Sequence, residues 1–189
     1  MTGKSHVRLE KYIAALRRDV LSFAMAIKDA ILPEFDHEMG TTRRLLERTP
    51  EAEFGWKPHE KSFSLGQLAG HLANIPHWCD AILQHTVFDV TTLGDTRAKA
   101  PESIAALLVQ FDKTVATVRA ALAATSDAEM LTPWTFKNGD HVVFTMPRVA
   151  AIRSFIMNHS IHHRGQLSVY LRLKNVPLPA MYGPTADEQ

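Results

Sequence analysis

His159 and His163 stand four residues apart in the run Asn158-His159-Ser160-Ile161-His162-His163-Arg164-Gly165-Gln166-Leu167. On an α-helix, residues four apart return to nearly the same face, because each residue turns the helix by about 100°. Two imidazoles on one face form a metal-binding pair, since neutral ring nitrogens suit zinc, nickel, cobalt and copper. The apolar residues before the pair are Val149, Ile152 and Ile156, and those after it are Leu167 and Tyr170 or Leu171. Continuing their three-four rhythm puts His159 and His163 where a packed helix buries aliphatics. An imidazole there needs a partner, because burying an unsatisfied polar group is costly. A shared metal ion meets that need for both rings; hydrogen-bonded core histidines are the alternative.

Zinc and related ions take three or four protein ligands. The chain has ten histidines, so position on an apolar stripe is the useful filter. His71 passes it, standing between Leu68 and Ile75 where an aliphatic is expected. His85 lies on the same face but about 21 Å further along the helix axis, too far to share a centre with His71. His77 and His162 fall off the stripes; His6, His37, His59 and His141 read as terminal, loop or solvated residues. Ser160 follows His159, so the His-Glu-x-x-His signature of zinc proteases is absent. Arg164 is a candidate for a cofactor carboxylate, or else a surface arginine. Gln166 is a candidate to hydrogen-bond a ligand histidine, or else to pack between helices. Trp78, seven residues after His71, lines a pocket or the core. The single cysteine, Cys79, excludes an internal disulfide and reads as a small buried residue without a neighbouring base.

Helical spacing predicts the elements that hold these residues. Apolar stripes run over residues 7–30, 33–48, from Ser62 or Ser64 through Ile82, 102–124 and 147–174. Pro33 separates the first two as a kink or as the first-turn proline of a new helix. Pro76 is expected to bend the third helix about a turn beyond His71. A loop with Gly94 and Pro101 follows it. Asn138-Gly139, between the β-prone runs that start at Trp134 and end at Phe144, predicts a small hairpin or extended excursion. The resulting expectation is an all-α fold: an antiparallel four-helix bundle with an extra N-terminal helix and a hairpin-like excursion before the last helix.

The 189 residues suffice for one domain with a substantial core. A formal net charge of +1 argues against a nucleic-acid partner. No apolar run reaches the roughly 20 residues of a bilayer span, and residues 1–6 lack the apolar core of a leader. A cytoplasmic location is therefore expected.

Further pieces, in order along the chain, are Glu34-Phe35-Asp36-His37-Glu38-Met39 with Thr42 and Leu45, Trp56-Lys57-Pro58-His59, His71-Leu72-Ala73-Asn74-Ile75-Pro76-His77-Trp78, Leu131-Thr132-Pro133-Trp134 and Tyr182-Gly183-Pro184-Thr185-Ala186-Asp187. With the histidine run at 158–167, they resemble the DinB family, also described as DinB/YfiT-like metalloenzymes. The resemblance covers residues 32–189 and leaves 1–31 as an N-terminal helical extension. It implies a bundle of DinB/YfiT type in which His71, His159 and His163 are metal ligands, with nickel or zinc as the usual ion. It also implies a thiol S-transferase or isomerase that employs a low-molecular-weight thiol and a small-molecule substrate. A metal-dependent hydrolase is the second expectation; it needs a base, for which Glu34, Asp36 and Glu38 are candidates. A stress-associated bundle that binds metal or ligand without turnover is the third. Apolar faces and the N-terminal segment suggest a homodimer.

Overall fold

Helix α1 spans Ile27–Glu47 and buries Phe35, Met39, Leu45 and Leu46. It belongs to a computed structural model that describes residues 25–93 and 98–189. Pro33 lies in the interior of α1, beyond the first turn, and the helix continues through it. Of the helix expected over residues 7–30, positions 7–24 lie outside the described residues, while Ile27–Ala30 open α1.

Helix α2, Leu65–Asn74, starts at a reciprocal cap. The Ser64 hydroxyl accepts from the Gln67 amide at 3.2 Å, and the Gln67 side chain accepts from the Ser64 amide at 2.9 Å. Such a box satisfies two otherwise orphaned donors and fixes where the helix begins. Pro76 ends the α-helical ladder: a 3₁₀ turn, Ile75–His77, leads into α3, Trp78–Gln84. Helix α4 spans Ile104–Ala124 and is capped by Ser103, whose hydroxyl accepts from the Ala106 amide at 3.1 Å. The short α5, Asp127–Met130, precedes the sheet.

Strand β2, Pro133–Asn138, turns into β3, His141–Pro147, as an antiparallel pair with an irregularity between Phe136 and Lys137. Gly139 in the connection has φ of 59°, a conformation glycine adopts without a Cβ penalty. A third strand, β1 (Val87–Asp89), pairs parallel with β2, giving the order β1-β2-β3. The expected all-α class therefore does not hold: the chain is mostly helical but carries a three-stranded mixed sheet. The hairpin half of that sheet is announced by Asn-Gly. The other half is a three-residue strand, too short for a periodic pattern, whose partner lies far along the chain. The Trp134 indole ties the sheet to α3 by donating to the Ala81 carbonyl at 3.2 Å.

From β3 the chain enters α6, Arg148–Ala151, then a π-helical stretch, Ile152–Asn158, then α7, His159–Leu173. Helix α1 packs against α4 and α7, and α2 against the same two helices. Leu65, Leu68, Leu72, Phe111, Val118, Ile152, Ile156, Leu167 and Leu171 fill the space between them. Burying a side chain of this size contributes about 1.5–3 kcal/mol. Among the described residues, no helix is long and apolar enough to cross a membrane.

Candidate metal centre

Buried positions from the π-helical stretch onward are Ile152, Ile156, Met157, Ser160, Arg164, Leu167 and Leu171. Leu167 and Leu171 fall where regular spacing puts them, but between Ile156 and Leu167 the stripe is one residue later than a regular α-helix would place it, next to the π-helical stretch. Its i→i+5 bonds admit more residues per turn, which shifts the positions just downstream relative to the core. The core positions expected at His159 and His163 thus fall to Ser160 and Arg164, and the two histidines stand half-buried at the edge of the stripe. His71 is placed alike on α2, half-buried beside the core residues Leu68, Ala69 and Leu72. All three imidazoles line the seam where α2 meets α7.

The seam brings them together. One ring nitrogen from each of His71, His159 and His163 lies within 4.8 Å of the others, and this is a group with no carboxylate among the described residues. Nε2 of His159 is 2.8 Å from Nε2 of His163 and 3.5 Å from Nε2 of His71. Ligands at the zinc–nitrogen distance of a tetrahedral site stand about 3.3 Å apart, so the two separations bracket what one ion needs. The other nitrogens are engaged elsewhere. Nδ1 of His163 donates to the Gln166 side-chain oxygen at 2.7 Å. The Phe155 backbone carbonyl acts on the His159 ring as an acceptor would, raising its pKa. Where both rings carry their proton on Nδ1, two Nε2 lone pairs face each other across 2.8 Å. A cation between them turns that repulsion into ligation.

Electrostatics act in the same sense. Burial, followed by the proximity of His163 and His159, lowers the pKa of His71 to about 4. Burial also lowers His159 and His163, partly opposed by Phe155 and by Gln166 respectively. Neutral imidazole is the ligating form. Phe63 stands 5.6 Å from the His71 ring and Phe155 5.9 Å from that of His159, so aromatic rings border the group.

The remaining expected site residues go to different places. Gln166 reaches His163, as a supporting partner would. Arg164 is only 1% exposed. Its guanidinium donates to the Glu38 carboxylate at 2.5 Å, the Glu38 carbonyl at 2.9 Å, the Thr42 hydroxyl at 3.2 Å and the Tyr182 hydroxyl. It is neither a surface arginine nor a group turned toward the histidines. Trp78 is half-buried, 5.5 Å from Phe88 and 5.9 Å from Phe155. His162 is exposed, its ring 4.9 Å from that of His163. Cys79 is buried and its thiol is pushed up to about 12, chiefly by burial. The three acids considered as bases are each paired with an arginine: Glu34 with Arg153, Asp36 with Arg119 and Glu38 with Arg164. Sequence reasoning missed the Phe155 carbonyl and the Glu38–Arg164–Tyr182 group, neither of which leaves a local motif.

Comparison with known proteins agrees with this architecture. The family profile described as the DinB superfamily matches residues 34–167. A DinB-like protein from Bacillus cereus ATCC 10987 superposes with a TM-score of 0.62 at 21% identity, covering 83% of this chain and 98% of that one. A DinB-like protein, YjoA, from Bacillus subtilis gives 0.63 at 20% identity, covering 82% and 99%. Neither identity is high enough to carry more than the fold. No curated protein matches the chain in sequence.

Proposed function

We propose, from the premise that this chain belongs to the DinB superfamily, that His71, His159 and His163 hold a divalent metal ion and that the protein is a metal-dependent thiol S-transferase acting on a small molecule. The observation that carries the metal assignment is the convergence of one ring nitrogen from each of the three histidines within 4.8 Å, with Nε2 of His159 2.8 Å from Nε2 of His163. Nickel and zinc both suit three neutral imidazoles. Such an ion supplies positive charge at a position left open to a small ligand and so favours the ionised form of a thiol bound there.

The chain's own residues support the rest. Three neutral ligands leave the ion's charge uncompensated, and no carboxylate joins the group among the described residues. Gln166 accepts from Nδ1 of His163 and so favours the tautomer of that ring that presents Nε2. Phe63 and Phe155 give the group a partly apolar border. The only cysteine is buried and strongly protonated, so the nucleophile has to arrive with a ligand. Hydrolysis is less favoured, because Glu34, Asp36 and Glu38 are all held by arginines.

The first experiment is elemental analysis of tag-free protein beside His71→Ala, His159→Ala and His163→Ala. Near-stoichiometric nickel or zinc, lost in all three variants, is the expected result. Absence of metal in the wild type, even after reconstitution, would sink the metalloenzyme assignment. Thiol binding is then read from the visible spectrum of a cobalt-loaded sample titrated with 2-mercaptoethanol. An unchanged spectrum would remove the transferase assignment and leave a metal-binding bundle without this chemistry.

A further inference from the structure

Beside the histidine group lies a cavity of about 1040 Å³, with His71 in its wall. Leu107, Phe111 and Thr114 of α4 also line it, as do Trp78 and Phe88. Pockets that enclose small organic ligands measure about 300–1,000 Å³, so this one is at the upper end of that range. The wall near His71 is closely packed. Gly70 meets the backbone of the segment after the sheet's first strand so closely that a Cβ there would stand 2.3 Å from the Lys99 carbonyl oxygen.

The aromatic residues give the cavity its direction. Trp78 packs edge-on against Phe88 at 5.5 Å and against Phe155 at 5.9 Å, and Phe155 in turn stands 5.9 Å from His159. A half-buried aromatic wall therefore leads from the cavity to the histidines. Of the charged groups at the cavity, Asp89 is held by Lys137 at 3.3 Å, by Thr91 and by the Gly139 amide, while the side chains of Asp80 and Lys99 are solvent-exposed. Flat ring faces on the inner wall favour an uncharged apolar body there over an ionic one.

We infer that this cavity is the subsite for the apolar, aryl- or alkyl-bearing body of the molecule on which the histidine centre acts, with Trp78 and Phe88 as its walls and Leu107 and Thr114 setting its size. The inference rests on the metal and thiol assignment proposed above for the chemistry, but not for the cavity itself. The test uses the full chain and N-phenyl-1-naphthylamine, a neutral dye that fluoresces in apolar surroundings. Saturable one-to-one binding to the wild type is expected. Leu107→Trp and Thr114→Phe add bulk from α4 and are expected to weaken it at least tenfold with unchanged circular dichroism. Val109→Trp, at a position 71% exposed on the same helix, is expected to leave it within twofold. No binding by the wild type, or binding that survives both blocking variants, would overturn the subsite. His163→Ala, at a member of the histidine group that does not line the cavity, is expected to abolish metal content while keeping dye affinity within threefold, so failure of the metal assignment and failure of the cavity are read separately. Benzyl mercaptan and 2-mercaptoethanol are then compared on cobalt-loaded protein. Leu107→Trp is expected to weaken only the larger thiol, and equal weakening of both would overturn the link between cavity and centre.

Discussion

The Gln166 side-chain oxygen accepts a hydrogen from Nδ1 of His163 at 2.7 Å, and this contact decides which nitrogen His163 turns toward His159. Partners of this kind orient a ligand ring and raise its basicity, and removing one typically costs about 10–100-fold in metal affinity. Gln166→Leu is therefore expected to weaken zinc binding by about that factor, measured by competition with a chromophoric chelator. Gln166→Glu keeps the acceptor and should retain most of the affinity. Equal affinities for wild type and Gln166→Leu would show that the tautomer is set elsewhere.

Stability of the metal-free protein should fall as pH drops from about 6.5 to 4. His71 has an ordinary pKa of 6.5 unfolded but about 4 folded, and His159 and His163 shift the same way. Between those values the unfolded chain binds protons that the folded chain refuses, so acid favours unfolding. The stabilisation is complete above the unfolded pKa and is lost as pH approaches the folded one. Urea midpoints at pH 7.5 and 5 check this, with His71→Gln expected to show a smaller drop than wild type. A drop as large in the variant would mean that other groups dominate.

The Glu38–Arg164 pair offers a sharper stability test. Both side chains are buried, with 7% and 2% of their surface exposed. Removing one partner of a buried pair strands a charge and costs about 3–5 kcal/mol. Glu38→Leu alone should lower the unfolding free energy by that amount. Glu38→Leu with Arg164→Met should recover much of it, because an apolar pair removes both charges. A double variant no better than the single one would assign Arg164 a further partner that matters more.

Gly70 is the position where a single methyl group should be felt. The 2.3 Å approach of an added Cβ to the Lys99 carbonyl oxygen forces backbone to move. Overpacking of this kind costs about 1–3 kcal/mol. Thermal unfolding of Gly70→Ala should show a loss in that range, with a weaker response to zinc because His71 is the next residue. An unchanged midpoint would show that the 98–101 segment yields without cost.

Much of this was legible in order along the chain, and the limit is physical. The three-four spacing of apolar residues marks helices from local chemistry alone, Ser62 or Ser64 marks a start, Pro76 a bend and Asn138-Gly139 a turn. The four-residue spacing of His159 and His163 places them on one face whatever the rest of the chain does, and Leu68 and Ile75 point to His71 as their counterpart. Those signals are local, so one sequence reveals them. The resemblance to the DinB family was carried by the same residues together with the ordered pieces around them.

What only the tertiary structure decided is where local preferences meet. Spacing puts His159 and His163 in the core, yet the π-helical stretch over Ile152–Asn158 shifts the positions just downstream, so Ser160 and Arg164 take the core positions and the histidines face a seam. No single-residue preference announces that wide turn. Strand β1 exists because β2 is beside it, and three residues cannot advertise a partner so far along the chain. Arg164, a surface residue on ordinary statistics, is buried because Glu38, from a helix more than a hundred residues away, supplies its counter-charge. Identity and spacing determined which groups could do chemistry; the packing of α1, α2 and α7 decided which of them face one another, because contact between distant residues is a property of the whole chain.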